Sequence, residues 1–80
     1  MIIAKIEGAT RICGESQGYE PLPLRDEVID TIHGDVPCMI TAWTPTPAEL
    51  AALNRGASVH VRILGRVPPP MMVGVGPDPE

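Results

Sequence analysis

The segment 46–49 (Thr-Pro-Ala-Glu) constrains the fold of this chain more than any other part of its sequence, because it marks the start of one short helix. A threonine at the N-cap, a proline at the first helical position and a glutamate at the third form a capping box. Helix-forming residues follow, and Gly56 stands where a helix commonly ends in a left-handed conformation. The pattern predicts a helix from about Pro47 to Arg55, too short to be stable without a sheet on which Leu50 and Leu53 dock.

Segments with the character of strands lie on both sides of this helix. Residues 1–6 are apolar and β-branched, and residues 58–64 alternate between an apolar and a polar side, which is typical of a half-buried strand. Residues 24–33 mix apolar and charged positions, as an edge strand does, and Gly34-Asp35 can close a hairpin onto the next strand. The predicted strands are residues 1–6, 9–13, 38–43, 58–64 and 71–75, and the sequence leaves open whether residues 24–33 form another.

The order of these elements predicts a small α/β (α+β-like) domain. The 14 residues between Trp43 and Ser58 are long enough for a β-α-β crossover, which would make strands 38–43 and 58–64 parallel. We therefore expect a mixed sheet of four to five strands with one short helix packed on one face. Eighty residues leave room for one domain, residues 1–75, followed by a flexible tail, residues 76–80. The chain has no phenylalanine, so Trp43 is expected to be the one large plate of the core.

Acidic residues are concentrated in one part of the chain. Residues 15–35 hold six acidic residues against a single arginine, whereas the rest of the chain is close to neutral. One interpretation is a solvated loop that keeps the protein soluble. The other is a negative surface that attracts a basic partner. Binding to nucleic acid is disfavoured under both interpretations, because phosphate contacts need a basic surface.

Catalytic and metal-binding patterns are weak in this sequence. The spacing of Cys13, His33, Cys38 and His60 matches no structural zinc motif. A nucleophilic pair of Cys38 and His60 is conceivable, but no third group or oxyanion site accompanies it. The sequence therefore predicts neither an enzyme nor a bound metal or cofactor. The two cysteines are expected to be reduced thiols in a cytosolic protein, since no signal peptide or membrane-spanning run is recognisable.

Partner binding is the remaining function class, and the acidic segment supplies its candidate residues. Tyr19 lies within that segment and offers contact area at low entropy cost. The proline-methionine run 68–72 can be either a partner-binding segment or a strand connection with core methionines. The predicted partner-binding residues are Glu15, Tyr19, Glu20, Asp26, Glu27, Asp30 and Asp35.

Most of the chain resembles a family of small proteins encoded by phages and prophages of alphaproteobacteria. The resemblance is carried by the motif Ala-Trp-Thr-Pro-Thr-Pro-x-Glu-Leu at residues 42–50, by an ending of the type Pro-Pro-x-Met-Val-Gly-Val-Gly at residues 69–76 and by residues 18–27. The family includes a type I-C anti-CRISPR, which blocks the Cascade complex, and many members of unknown role. These motifs describe a capped helix and a strand and carry no chemistry.

The resemblance implies an inhibitor that binds type I-C Cascade and blocks recognition of target DNA and its PAM through an acidic, DNA-mimicking surface. Its partner would be the basic DNA-binding surface of a Cascade subunit, Cas5, Cas7 or Cas8, in the cytoplasm of the bacterial host. Direct contact with nucleic acid or membrane is not expected, and an exposed edge strand would permit a homodimer. The alternative is a small accessory or structural phage protein that acts through protein–protein contacts.

Overall fold

A computed structural model of the chain describes residues 1–14, 18 and 20–77 and contains five strands and one helix in that range. The elements in chain order are β1 (Ile2–Ala4), β2 (Arg11–Cys13), β3 (Leu22–Thr31), β4 (Gly34–Ile40), β5 (Ala42–Thr44) and α1 (Pro47–Asn54).

The strands form two antiparallel sheets. One has three strands in the order β2-β3-β4, and the other pairs β1 with β5. The small α+β class with one short helix is thus confirmed. The predicted return strand at 9–13 is present as β2, but it pairs with β3 rather than with β1, whose partner is β5.

The hairpin of β3 and β4 dominates the larger sheet. Its two strands are joined by Ile32 and His33, and the register places Asp30 opposite Asp35. The turn therefore lies two residues before the predicted Gly34-Asp35, and both of these residues belong to β4. Gly34 adopts a φ of 97°, which only glycine adopts without strain, and this lets the chain enter β4 directly after the turn. The segment 24–33, which the sequence left open, lies largely within a strand, and this strand begins at Leu22 and ends at Thr31.

β3 pairs with a different strand in each of its two parts. β2 pairs with it over Leu22–Leu24, whereas β4 pairs with it from Arg25 to Thr31. The expected edge position therefore applies to the second half of β3, where the side that faces away from β4 carries no in-chain strand among the described residues.

The helix has the ends that the sequence predicts. The Glu49 N–H donates to Thr46 Oγ1 at 3.2 Å and the Thr46 N–H donates to Glu49 Oε1 at 2.9 Å, which closes the capping box. At the other end the Gly56 N–H donates to the Leu53 carbonyl and the Ala57 N–H to the Ala52 carbonyl, both at 3.0 Å. These two bonds form a Schellman motif, with Gly56 at a φ of 97°.

The expected docking of this helix on a sheet is wrong in one respect: no residue of α1 is buried, and Leu50 is 50% exposed. The reason lies in the segment that follows. Residues 58–64 and 71–75, predicted as strands, form none, and no parallel crossover is present in the described part of the chain. An alternating pattern suits a strand but does not supply a partner for its backbone, so no second strand lies beside the helix.

We call residues 57–77 the C-terminal arm. All of its residues are exposed, and its backbone beyond Ala57 donates no in-chain backbone hydrogen bond to the described residues. The expectation of core methionines is wrong as well, since Met72 is 83% exposed. The end of the predicted tail, residues 78–80, lies outside the described residues.

The core is minimal for a chain of this size. Leu24 is the one hydrophobic side chain that is buried among the described residues. Trp43, expected as the core plate, is 47% exposed, and its indole N–H donates to Thr41 Oγ1 at 3.0 Å. That prediction fails because β5 belongs to a two-stranded sheet of short strands, which leaves no apolar layer to cover the ring.

Candidate partner-binding surface

The β3–β4 hairpin presents two faces, because successive side chains of a strand point to opposite sides. We call one the outer face, on which residues of even number on β3 lie beside residues of odd number on β4. All of its members are exposed. They are Asp26, Val28, Asp30, Asp35, Pro37 and Met39.

The opposite side, the inner face, is less exposed. Glu27, Ile29 and Thr31 from β3 and Cys38 and Ile40 from β4 are all partly covered. Glu27 therefore points away from Asp26 and Asp30. The acidic residues that the sequence groups together are divided between the two faces, because they are neighbours in an extended strand rather than in a loop.

Asp26 is held by groups from the adjacent strand. Arg11 Nε and Nη2 donate to its two carboxylate oxygens, both at 3.0 Å, and Thr10 Oγ1 donates at 2.6 Å. The Asp26 N–H in turn donates to Thr10 Oγ1 at 2.9 Å. The hydrogen bonds from Arg11 and then Thr10 lower the pKa of Asp26, and the same pair raises the pKa of Arg11. This carboxylate links β2 to β3 and is already neutralised within the chain.

Glu27 has an arginine partner too. Arg25 Nε donates to Glu27 Oε1 at 2.8 Å, and Arg25 Nη1 donates to the Glu7 carbonyl at 2.8 Å. Arg25 thereby braces the turn at Gly8, whose φ of 73° confirms the predicted reversal. Glu27 is thus engaged by Arg25 within the chain, and its role in partner binding stays a prediction.

Asp30 and Asp35 are in a different position. They are directly opposite each other across the hairpin, and neither forms an ion pair with residues 1–14, 18 or 20–77. Like charges at directly opposed positions repel each other. The turn end of the outer face therefore carries negative charge that the described chain does not compensate.

The remaining predicted site residues lie elsewhere. Glu20 is exposed and precedes β3, while Glu15 and Tyr19 lie outside the described residues. Of the seven predicted positions, the structure therefore brings Asp26, Asp30 and Asp35 onto one face.

Exposed apolar side chains share the outer face with these carboxylates, and sequence reasoning missed them. Val28 is 67% exposed and Met39 is 63% exposed, and Ile32 at the turn is almost fully exposed. The alternation of Val28 and Ile32 with acidic residues was the available signal. Such a mixture of apolar and charged groups is typical of protein-binding surfaces rather than of a solvated loop.

The proline-methionine run lies beside the inner face. Pro70, Met71 and Met72 line an open cleft of about 430 Å³ together with inner-face and turn residues, among them Ile29 and His33. The cleft is almost wholly apolar in its lining.

The described residues hold neither a cluster of metal ligands nor a membrane-spanning helix. Within them no three His, Cys, Asp or Glu side chains are grouped so as to hold a metal ion. No helix in that range is long and apolar enough to cross a membrane. Cys13 and Cys38 are both free thiols.

Comparison of the chain with protein-family models, with curated proteins and with solved structures gave no match.

Proposed function

We propose that this chain acts by binding another protein chain, as a small accessory or structural subunit whose fold is completed by protein–protein contacts. The observation that carries the proposal is the size of its surface. The accessible surface is 7323 Å², whereas a compact monomer of 8.5 kDa exposes about 4,700 Å².

The difference has the magnitude of a stable interface. The chain exposes about 2,600 Å² more than a compact monomer, and an obligate interface buries roughly 1,000–2,500 Å² on each partner. The radius of gyration leads to the same conclusion, since it is 14.5 Å against about 12 Å for a compact chain of 80 residues.

The excess surface is largely apolar. Large hydrophobic side chains are exposed on the outer face, on the helix and along the C-terminal arm. Apolar surface of this extent on a soluble chain favours association, because burying it removes it from water. A binding function is therefore favoured over a catalytic one, because we find no set of catalytic groups in enzyme-like geometry among the described residues.

The proposal is tested by the native mass and the dye binding of the chain isolated from its host without denaturation. We expect the chain in a complex heavier than 8.5 kDa, and we expect strong fluorescence of a hydrophobic dye such as ANS once the complex is dissociated by dilution. A chain that migrates as a compact monomer and does not bind the dye would contradict a role in protein assembly.

A second function is favoured by one specific observation, the uncompensated charge of Asp30 and Asp35 at the turn end of the outer face. Two carboxylates at an exposed hairpin end suit a basic surface that binds DNA phosphates. The chain would then inhibit type I-C Cascade in the cytoplasm of the bacterial host by occupying the DNA-binding surface of one of its subunits. Asp26 and Glu27 would contribute little, because their arginine partners already neutralise them.

Competition with target DNA on purified Cascade tests this second function. Asp35→Lys should abolish inhibition, whereas Glu7→Lys, which changes the charge equally at a site away from the hairpin turn, should retain it. Inhibition by the unsubstituted chain should also weaken as salt rises, because exposed charges are screened. Equal inhibition by the two variants would exclude the acidic turn as the binding site.

A further inference from the structure

The C-terminal arm contains a strand sequence that pairs with no strand in the described part of the chain. Within residues 58–64, Val59, Val61 and Ile63 alternate with Ser58, His60 and Arg62. Ser58 and His60 contact each other at 3.2 Å, as side chains on one side of an extended segment do. All seven residues are exposed and donate no backbone hydrogen bond to the described chain.

The same chain contains a strand edge that no strand within residues 1–14, 18 or 20–77 covers. β2 ends its pairing with β3 at Leu24, and beyond it the Asp26 N–H points to the Thr10 hydroxyl, away from β4. The backbone N–H and C=O groups of successive residues point to opposite sides of a strand, so those of Val28 and Asp30 also point away from β4. Residues 27–31 of β3 therefore form an open edge without proline, whereas Pro37 interrupts the outer edge of β4.

We infer that residues 58–64 of one copy of the chain add as a strand to the open edge of β3 in a second copy, giving a homodimer with exchanged arms. This inference rests on the proposed function and names the partner. Each chain has both an arm to donate and an open edge to accept one. Two copies related by a two-fold axis can therefore exchange arms, so that each open edge is covered by the other copy's arm.

The two faces of the added strand match the two faces of the hairpin. Placing Val59, Val61 and Ile63 on the inner-face side brings them beside Ile29 and the partly covered residues of β4. The alternation then places Arg62 on the outer-face side, near Asp30 of the other copy. The C-terminal arm within 57–77 carries two arginines and no acidic residue, so its charge opposes that of the acidic turn.

The area agrees with this arrangement. Each chain exposes about 2,600 Å² more than a compact monomer, and an exchange of two arms buries surface at two equivalent sites. Edge strands that stay open are sites of association between copies. The arm is positively charged and the turn end of the hairpin is negatively charged. A second copy supplies both complementary surfaces, whereas an unrelated acidic partner would match the arm alone.

Light scattering on the purified full chain across a dilution series tests the dimer. We expect twice the chain mass at high concentration and the single-chain mass after dilution. His60→Pro and Val61→Pro each remove one backbone donor from the middle of the added strand. Because successive N–H groups of a strand point to opposite sides, one of these two variants loses a hydrogen bond to β3 and should raise the dimer dissociation constant roughly tenfold or more. Val67→Pro makes the same change at an exposed position of the arm outside 58–64 and should leave the dimer intact.

Mixed-label NMR on the unsubstituted chain decides the case even if these substitutions prevent folding. In a mixture of labelled and unlabelled copies, we expect contacts between the amides of residues 58–64 and β3 of the other copy. A monomer at every concentration, or a dimer without these contacts, would overturn the inference. A monomer that binds ANS would leave the proposed function standing with another partner, whereas a compact monomer without dye binding would remove both.

Discussion

Asp26 and Asp30 show how far the role of a residue depends on its neighbours across the strand. Both lie on the outer face of β3, where Val28 separates them, and both belong to the acidic segment of the sequence. Arg11 and Thr10 from β2 reach Asp26, but β2 ends before it can reach Asp30. Sequence reasoning grouped the two carboxylates because Arg11 lies outside the segment 15–35, and only strand pairing brings it to Asp26. Surface charge is therefore a property of the sheet register as much as of the sequence.

Asp26→Asn is expected to lower the Tm of the chain by a few degrees, because it removes the charge that accepts two hydrogen bonds from Arg11. A bidentate pair of this geometry contributes more than an ordinary surface ion pair. Asp30→Asn makes the same chemical change on the same face without losing an ion pair, and it should leave the Tm unchanged or raise it by relieving repulsion from Asp35. Thermal unfolding followed by circular dichroism compares the two variants. A larger loss for Asp30→Asn would mean that Asp26 does not stabilise the β2–β3 pairing.

At the scale of the element, the helix was the most predictable part of the fold. Its capping box and its glycine end are local signals, and the bonds that they predict are present in the structure. Residues 58–64 have an equally clear strand pattern, but a strand also needs a pairing partner, which here would be distant in sequence. The same reason explains Trp43, whose burial needed a sheet that β5 does not provide. Local chemistry could be predicted from the sequence, and pairing between distant segments could not.

The helix cap is expected to depend on pH. Hydrogen bonds from the Thr46 N–H and from the N-terminal ammonium of Met1 lower the pKa of Glu49 from 4.5 to about 2. A carboxyl group whose pKa is lower in the folded state stabilises it above the unfolded pKa, and this contribution is lost as the pH falls through the folded pKa. Helix content measured by circular dichroism should therefore decrease from about pH 4.5 towards pH 2.

Glu49→Gln is the matched control for this helix, because the amide keeps a hydrogen-bond acceptor for the Thr46 N–H and does not titrate. Its helix content should be lower at neutral pH and should change less between pH 4.5 and 2. An unchanged acid transition in this variant would assign the pH dependence to other carboxyl groups.

At the scale of the whole molecule, the chain has well-formed local elements and very little core. Among the described residues one hydrophobic side chain is buried, and large apolar side chains of the hairpin, the helix and the C-terminal arm are exposed. The proposed contacts with a second chain would cover these side chains, and they would give the arm the strand partner that its sequence pattern requires. The acidic turn of the hairpin then has two candidate partners, the arginines of a second copy and a basic DNA-binding surface.

Native mass combined with hydrophobic dye binding across a dilution series tests most directly whether the chain completes its fold by association. At high concentration we expect a native mass above the 8.5 kDa of one chain together with weak dye fluorescence. The fluorescence should rise as dilution dissociates the complex. A mass of one chain with weak fluorescence at every concentration would show that the chain buries its apolar surface alone, and would contradict the account.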